Sequence, residues 1–187
     1  MNSQQIKEIL LSEIHEVSIN YEKYCNDPKR DFSRKRKLPF ELMLKNIIGM
    51  GSKSITNELI DIFQASGEMP SASAFVQQRT KIRPEALKAV FDGFMSRILA
   101  SADKMRILAV DGSDIQIETN PKDKTSHIST SIDKKSFNLL HLNALYDLEE
   151  HVYTDAIIQA AKSQNEHGAL NEMVDRSEIP KALVIAD

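Results

Sequence analysis

Apolar positions in the first hundred residues recur at helical spacing. Ile6, Ile9, Leu10, Ile14, Val17 and Tyr21 share one helical face, which predicts an amphipathic helix ending near Asp27-Pro28. A second helix is predicted over Pro39 to Met50, with Leu42, Leu44, Ile47 and Ile48 apolar, stopped by Gly49-Met50-Gly51-Ser52. Ser54 is placed to cap a third helix, Ile55 to Phe63, on which Ile55, Leu59, Ile62 and Phe63 share a face. Gly67 and Pro70 interrupt again, and Ser71 or Ser73 caps a short fourth helix that ends on Gln77, Gln78 and Arg79, just before Lys81. Pro84 suits the first position of a longer helix carrying Leu87, Val90, Phe91, Phe94, Met95, Ile98 and Leu99 as a broad stripe. That stripe reads as packing core.

The period then changes. Met105 to Ile117 (MRILAVDGSDIQI) opens as a short apolar run of buried-strand type and breaks on Asp111-Gly112-Ser113-Asp114, a turn-like tetrapeptide. Lys181 to Asp187 (KALVIAD) repeats the arrangement, an apolar run delivering a second carboxylate. Between them, Glu118 to Lys135 is polar without period and predicts a mobile loop. Phe137 to Leu148 and Val152 to Ile158 read as two strands of a hairpin, and Asn165 caps a helix through Leu170, Met173 and Val174. The expected fold class is therefore α+β. An all-helical domain over 1–100 precedes a strand-strand-strand-helix-strand unit over 101–187, the opening of a ribonuclease H-like fold.

Composition adds exclusions. With 41% apolar and 27% charged residues, and no apolar stretch near the ~20 residues of a membrane helix, the chain reads as a globular cytoplasmic protein with no membrane partner. The single cysteine, Cys25, allows no internal disulfide. Net charge is -3, yet six of the nine residues from Lys29 to Lys37 (KRDFSRKRK) are basic, and Phe32 gives that run an apolar anchor. The helix-turn-helix-like arrangement nearby makes Arg34, Lys35, Arg36, Lys37, Gln78, Arg79 and Lys81 the candidate nucleic-acid contacts. Two strand-end carboxylates, Asp111 and Asp187, are suited to hard divalent cations.

At this point the chain resembles the DDE transposases of bacterial insertion sequences, specifically the insertion-sequence-four family. The likeness is carried by RKLPFELMLKNIIGMGSKSITNEL, SASAFVQQRTKI, ILAVDGSD, NALYDL with VYTDAII, and ALVIAD. It implies DNA cleavage and strand transfer at terminal inverted repeats, with target DNA as second substrate and homo-oligomers forming on DNA. Asp111 matches the family's first metal-binding acid and Asp187 its second, with Asp114 the near competitor for the first role. Two Mg²⁺ (or Mn²⁺) ions about 3.5–4 Å apart would do the chemistry, so no catalytic His is required. His15, His127, His141, His151 and His167 are then structural or exposed. The family's third acid, a Glu within a Tyr, Arg, Glu, Lys pattern, has no match before Asp187, and Glu166 and Glu172 precede the second Asp. The chain as given is therefore expected to be an inactive amino-terminal fragment. The alternatives are a non-catalytic truncated transposase acting as a DNA-binding regulator, and a ribonuclease H-like nuclease.

Overall fold

The computed structural model describes residues 2–34, 37–99, 105–129, 135–177 and 179–186. They form two compact units, Met1–Ala100 and Ser101–Asp187.

Unit 1 is helical: α1 (Ser3–Ile19), a 3₁₀ turn (Tyr21–Tyr24), α2 (Phe40–Gly49), α3 (Ile55–Phe63), α4 (Ala72–Arg79) and α5 (Glu85–Leu99). The caps read from sequence are used, since Ser54 Oγ accepts from Asn57 N and Ser71 Oγ from Ala74 N. α2 is shared by two apolar clusters. On one side Phe40 and Leu44 pack with Ile14, Val17, Ala86 and Val90; on the other Met43 packs with Leu38, Leu59 and Phe75. Phe32 touches both clusters and meets Phe40 edge-on at 5.2 Å, so the basic run is pinned to the folded surface by its one aromatic. Cys25 is buried, and burial, with the charges of Asp31 and Glu22 adding to it, pushes its thiol up to about 11. Such a thiol is inert.

Unit 2 is a mixed sheet: β1 (Arg106–Ile117), β2 (His127–Ile128), β3 (Phe137–Asp147), β4 (Val152–Ala160), then α6 (Glu166–Asp175) and β5 (Ala182–Ile185). Helices followed by a mixed sheet is the fold class expected from the sequence. β3 pairs antiparallel with β1, β2 and β4, and β5 pairs parallel with β1. Asn165 caps α6 by accepting from Gly168 N at 2.9 Å. Met173 of α6 packs on Leu108 and Leu145, so the helix lies on one face of the sheet.

Three expectations are corrected. The first helix does not reach Asp27-Pro28, because α1 ends at Ile19 with Asn20 as its C-cap and a 3₁₀ turn follows over Tyr21–Tyr24. Asp111-Gly112-Ser113-Asp114 does not break the strand, because β1 runs on to Ile117 with every residue from Leu108 onward paired to β3. Cross-strand pairing overrides the local turn preference of Asp-Gly. Nor is the polar stretch after β1 a plain loop over its described part. Buried Asn138 donates to Asn120 O and Ser126 Oγ and accepts from Asn120 N, and its Oδ1 is 3.0 Å from His127 Nδ1. Asp123, held down to about 2 by the hydroxyls of Ser126 and Thr125, closes the same turn. Residues 130–134 lie outside the described residues.

The register of β1 on β3 is fixed by a buried ion pair. Arg106 Nη1 and Asp147 Oδ2 are 2.6 Å apart at 3% and 0% side-chain exposure. Burial pushes the Asp147 carboxyl up, but the N–H groups of Glu150 and Glu149 and the Arg106 guanidinium outweigh it and hold it below the ordinary value of 3.8. Replacing Asp147 by Ala leaves the buried guanidinium without this carboxylate and should cost about 3–5 kcal/mol in urea unfolding of the full chain. Because the folded value is lowered, the Asp147 contribution is complete above about pH 3.8 and fades as pH falls below it. Wild type and variant should therefore differ at neutral pH and converge on acidification; an unchanged gap at low pH would show that the carboxylate charge is not what stabilises the pair.

Candidate functional site

Side chains alternate across a strand, so Asp111 and Asp114, three positions apart in a continuous β1, point to opposite faces. Asp114 shares the α6 face with Leu108 and Gly112. Asp111 lies on the other face, with Ala109 and Ser113 beside it along the strand. The two acids proposed for one role therefore sit in different surroundings.

Asp111 is exposed. Its Oδ1 accepts from Gly112 N at 2.8 Å, and its second oxygen has no protein partner among the described residues. β5 runs beside β1 only from Arg106 to Ala109, so next to Asp111 that side of β1 carries no paired strand among the described residues. A carboxylate so placed has the exposure and the oxygen donors that a hard cation requires. Among the described residues, no group of three or more His, Cys, Asp or Glu side chains is placed to hold a metal. Asp187 lies outside the described residues, as do Lys35 and Arg36.

On the α6 face, His141 is buried between two carboxylates. Its Nδ1 is 2.9 Å from Asp114 Oδ1, and its Nε2 is 3.0 Å from Glu166 Oε1 without the alignment of a hydrogen bond. Asp114 and His141 are direct partners in the β1–β3 register. Gly112 makes this possible. A Cβ there would fall 2.6 Å from His141 Nε2 and 2.7 Å from Glu166 Oε1, so the glycine serves close approach rather than a turn, and its φ is not positive. Sequence reasoning missed this group, because the pairing of Asp114 with His141 becomes visible only once the register is known.

In unit 1 the chain around Cys25 is tied to the end of α4. Cys25 forms an isolated bridge with Ile82, Asn26 N donates to Lys81 O, Asn26 Nδ2 donates to Thr80 O, and Arg83 N donates to Tyr24 O. The basic run thus starts next to the residues that follow α4. Arg34 and Lys81 line one cavity, and Lys37 and Lys81 a second. Arg79 is exposed. Gln78 is not on that surface: it is 8% exposed and lies in the walls of both cavities.

Gly112→Ala is expected to force the buried His141 ring and Glu166 away from β1. An overpacking cost of about 1–3 kcal/mol should appear in denaturant unfolding. Adding Glu166→Ala to the variant should recover part of that loss; no recovery would show that the strain falls on His141 alone.

No described helix is long and apolar enough to cross a membrane. No curated protein and no solved structure matches the chain. Residues 102–187 match the family model of the transposase DDE domain, and the matched span carries Asp111 on its first strand.

Proposed function

We propose that the chain is part of a DDE transposase of the insertion-sequence-four kind. In this reading unit 2 supplies Asp111 and Asp187 as metal-binding acids and unit 1 grips the terminal inverted repeats of the element. One observation carries the catalytic assignment. The parallel register pairs Ala109 with Ile185, and each of these residues stands two positions before an acid, Asp111 on β1 and Asp187 after β5. Residues level with each other in parallel strands share a face. Asp111, and not Asp114, lies on the face of β1 that Ile185 shares, and Asp187 follows Ile185 by two residues in the sequence. Asp114 is already engaged by His141.

A pair of Mg²⁺ or Mn²⁺ ions held there would supply a Lewis acid and an activated oxygen nucleophile for DNA strand cleavage and transfer. The protein's part is to hold the carboxylates still. Asp111 is fixed by strand pairing on β3 and by its bond from Gly112 N. Strand alternation puts Asp114 on the opposite face, where His141 engages it.

For DNA, the basic run and the exposed end of α4 supply Arg34, Lys35, Arg36, Lys37, Arg79 and Lys81 for phosphates, with homo-oligomers assembling on the bound ends. Strand transfer then brings a target duplex to the same acids.

Two measurements test this. Mn²⁺ added to the isotopically labelled full chain should broaden the amide signals around Asp111; Asp111→Asn should remove the effect, Asp187→Asn should weaken it, and Asp114→Asn should leave it. If Asp114→Asn alone abolishes the broadening, the first acid is misassigned. Separately, affinity for duplex DNA should fall steeply with salt. Replacing Arg34, Lys35 and Arg36 by Ala should flatten the log-log slope by about 0.9 for each phosphate that is no longer neutralised. Binding that ignores salt would remove unit 1 from the DNA interface.

A further inference from the structure

A cavity of about 490 Å³ in unit 1 is lined by four cations, Lys29, Arg30 and Arg34 from the basic run and Lys81 from the segment after α4. None of the four has an ion pair or a side-chain hydrogen bond among the described residues. The two acids of the same wall do not neutralise them. Asp27 Oδ1 accepts from Lys29 N at 3.2 Å and Asp31 Oδ2 from Asp27 N at 2.9 Å, so each carboxylate engages the backbone of its own turn.

Elsewhere in unit 1, Lys45, Lys53 and Lys88 each have a carboxylate of their own, in Glu41, Asp61 and Asp92. Lys81 has none although it is half-buried, and a lysine that gives up hydration ordinarily gains a counter-charge in exchange. Three further cations on the same hollow add mutual repulsion. The hollow therefore calls for an anion, and its donors define the kind. Guanidinium forks beside ammonium point charges suit a group with several oxygens to offer, which is a phosphate. The charge agrees. Four cations less two carboxylates leave a formal +2 in the wall. A phosphate monoester carries about -1.5 to -2 near pH 7, and two successive phosphates of a DNA strand carry one negative charge each.

We infer that this cavity is a phosphate seat, with Lys81 at its half-buried wall and Lys29, Arg30 and Arg34 at its exposed side. Where the phosphates are those of a DNA strand, the inference rests on the proposal that unit 1 binds DNA and adds Lys29 and Arg30 to that contact. Where the phosphate is free, it stands without that proposal.

The test uses the isotopically labelled full chain and inorganic phosphate alone, at constant ionic strength. Phosphate should shift the amide signals of residues 29–34 and of Lys81 saturably, and leave those of Lys53 and Lys88 in place. Lys81→Gln should weaken phosphate binding about tenfold, the loss of one charge-assisted contact. Arg30→Gln, at an exposed position, should do the same and serves if the Lys81 variant folds poorly. Lys88→Gln, whose ammonium is already paired with Asp92, should change nothing. No saturable shift at these residues, or unchanged affinity in either folded variant, overturns the seat and leaves duplex binding, measured separately, standing. Duplex DNA added to the phosphate-bound chain then identifies the source. Displacement of phosphate, with duplex affinity also lowered by Arg30→Gln, assigns the seat to the DNA backbone, whereas phosphate that stays bound beside DNA assigns it to a free phosphate. A chain that takes phosphate here and binds no duplex keeps the seat and overturns the DNA-binding proposal.

Discussion

The register of β1 is the constraint on which unit 2 depends. A strand has two faces, and a slip of one residue would exchange Asp111 with Gly112 between them. The Arg106–Asp147 pair opposes that slip at the start of the strand, because moving it would separate two buried charges 2.6 Å apart. Asp114 and His141 oppose it further along, where their direct pairing in the register is reinforced by a contact of 2.9 Å. Between these two fixed points lie Ile107 to Ser113. The Asp111 carboxylate, proposed above as a metal ligand, is therefore flanked along the strand by polar contacts on either side, both made by partners on β3.

Gly112 shows how closely the two faces are coupled. It lies beside Asp111 in the chain and presents to α6 a surface with no side chain, into which His141 and Glu166 fit. The start of α6 is thereby held against β1, and α6 leads through a short connection to β5, which pairs with β1 from Ala182 to Ile185. The small residue beside Asp111 thus helps to position β5 along β1. Local propensity alone would have assigned this glycine to a turn.

What was legible in the sequence follows from where the information lies. Helices announced themselves by spacing and by caps, and Ser54, Ser71 and Asn165 each accept the backbone bond expected of them. Four of the five strands were visible as apolar runs, and the loss of helical period placed the α-to-β switch near residue 100, while β2 (His127–Ile128) lay hidden in a polar stretch. The continuation of β1 through Asp111-Gly112-Ser113-Asp114 was not legible, because it is decided by pairing with Ala144 to His141, residues some thirty positions away. The order of the segment before β3 comes from hydrogen bonds to one buried Asn138, which leaves no hydrophobic signature. Gln78 looked like a surface residue because it is polar and follows another Gln; its burial depends on how α4 sits against the chain around Leu38.

Unit 1 solves a related problem by another means. Basic segments repel themselves and tend to stay extended in solvent. Here the run is anchored at its start by the strand-like contacts between Tyr24–Asn26 and Thr80–Arg83, and within it by Phe32 in both apolar clusters. Phe32 adopts a positive φ of 56°, a conformation uncommon for a bulky residue, which its packing against Phe40 offsets. The chain accepts that backbone cost to bring Arg34 and Lys37 to the side of α4 where Lys81 stands. Folding thus adds Lys81, distant in sequence, to cations of the basic run, and cations held by a folded frame keep fixed spacings, which the proposed contact with a regular phosphate backbone would require.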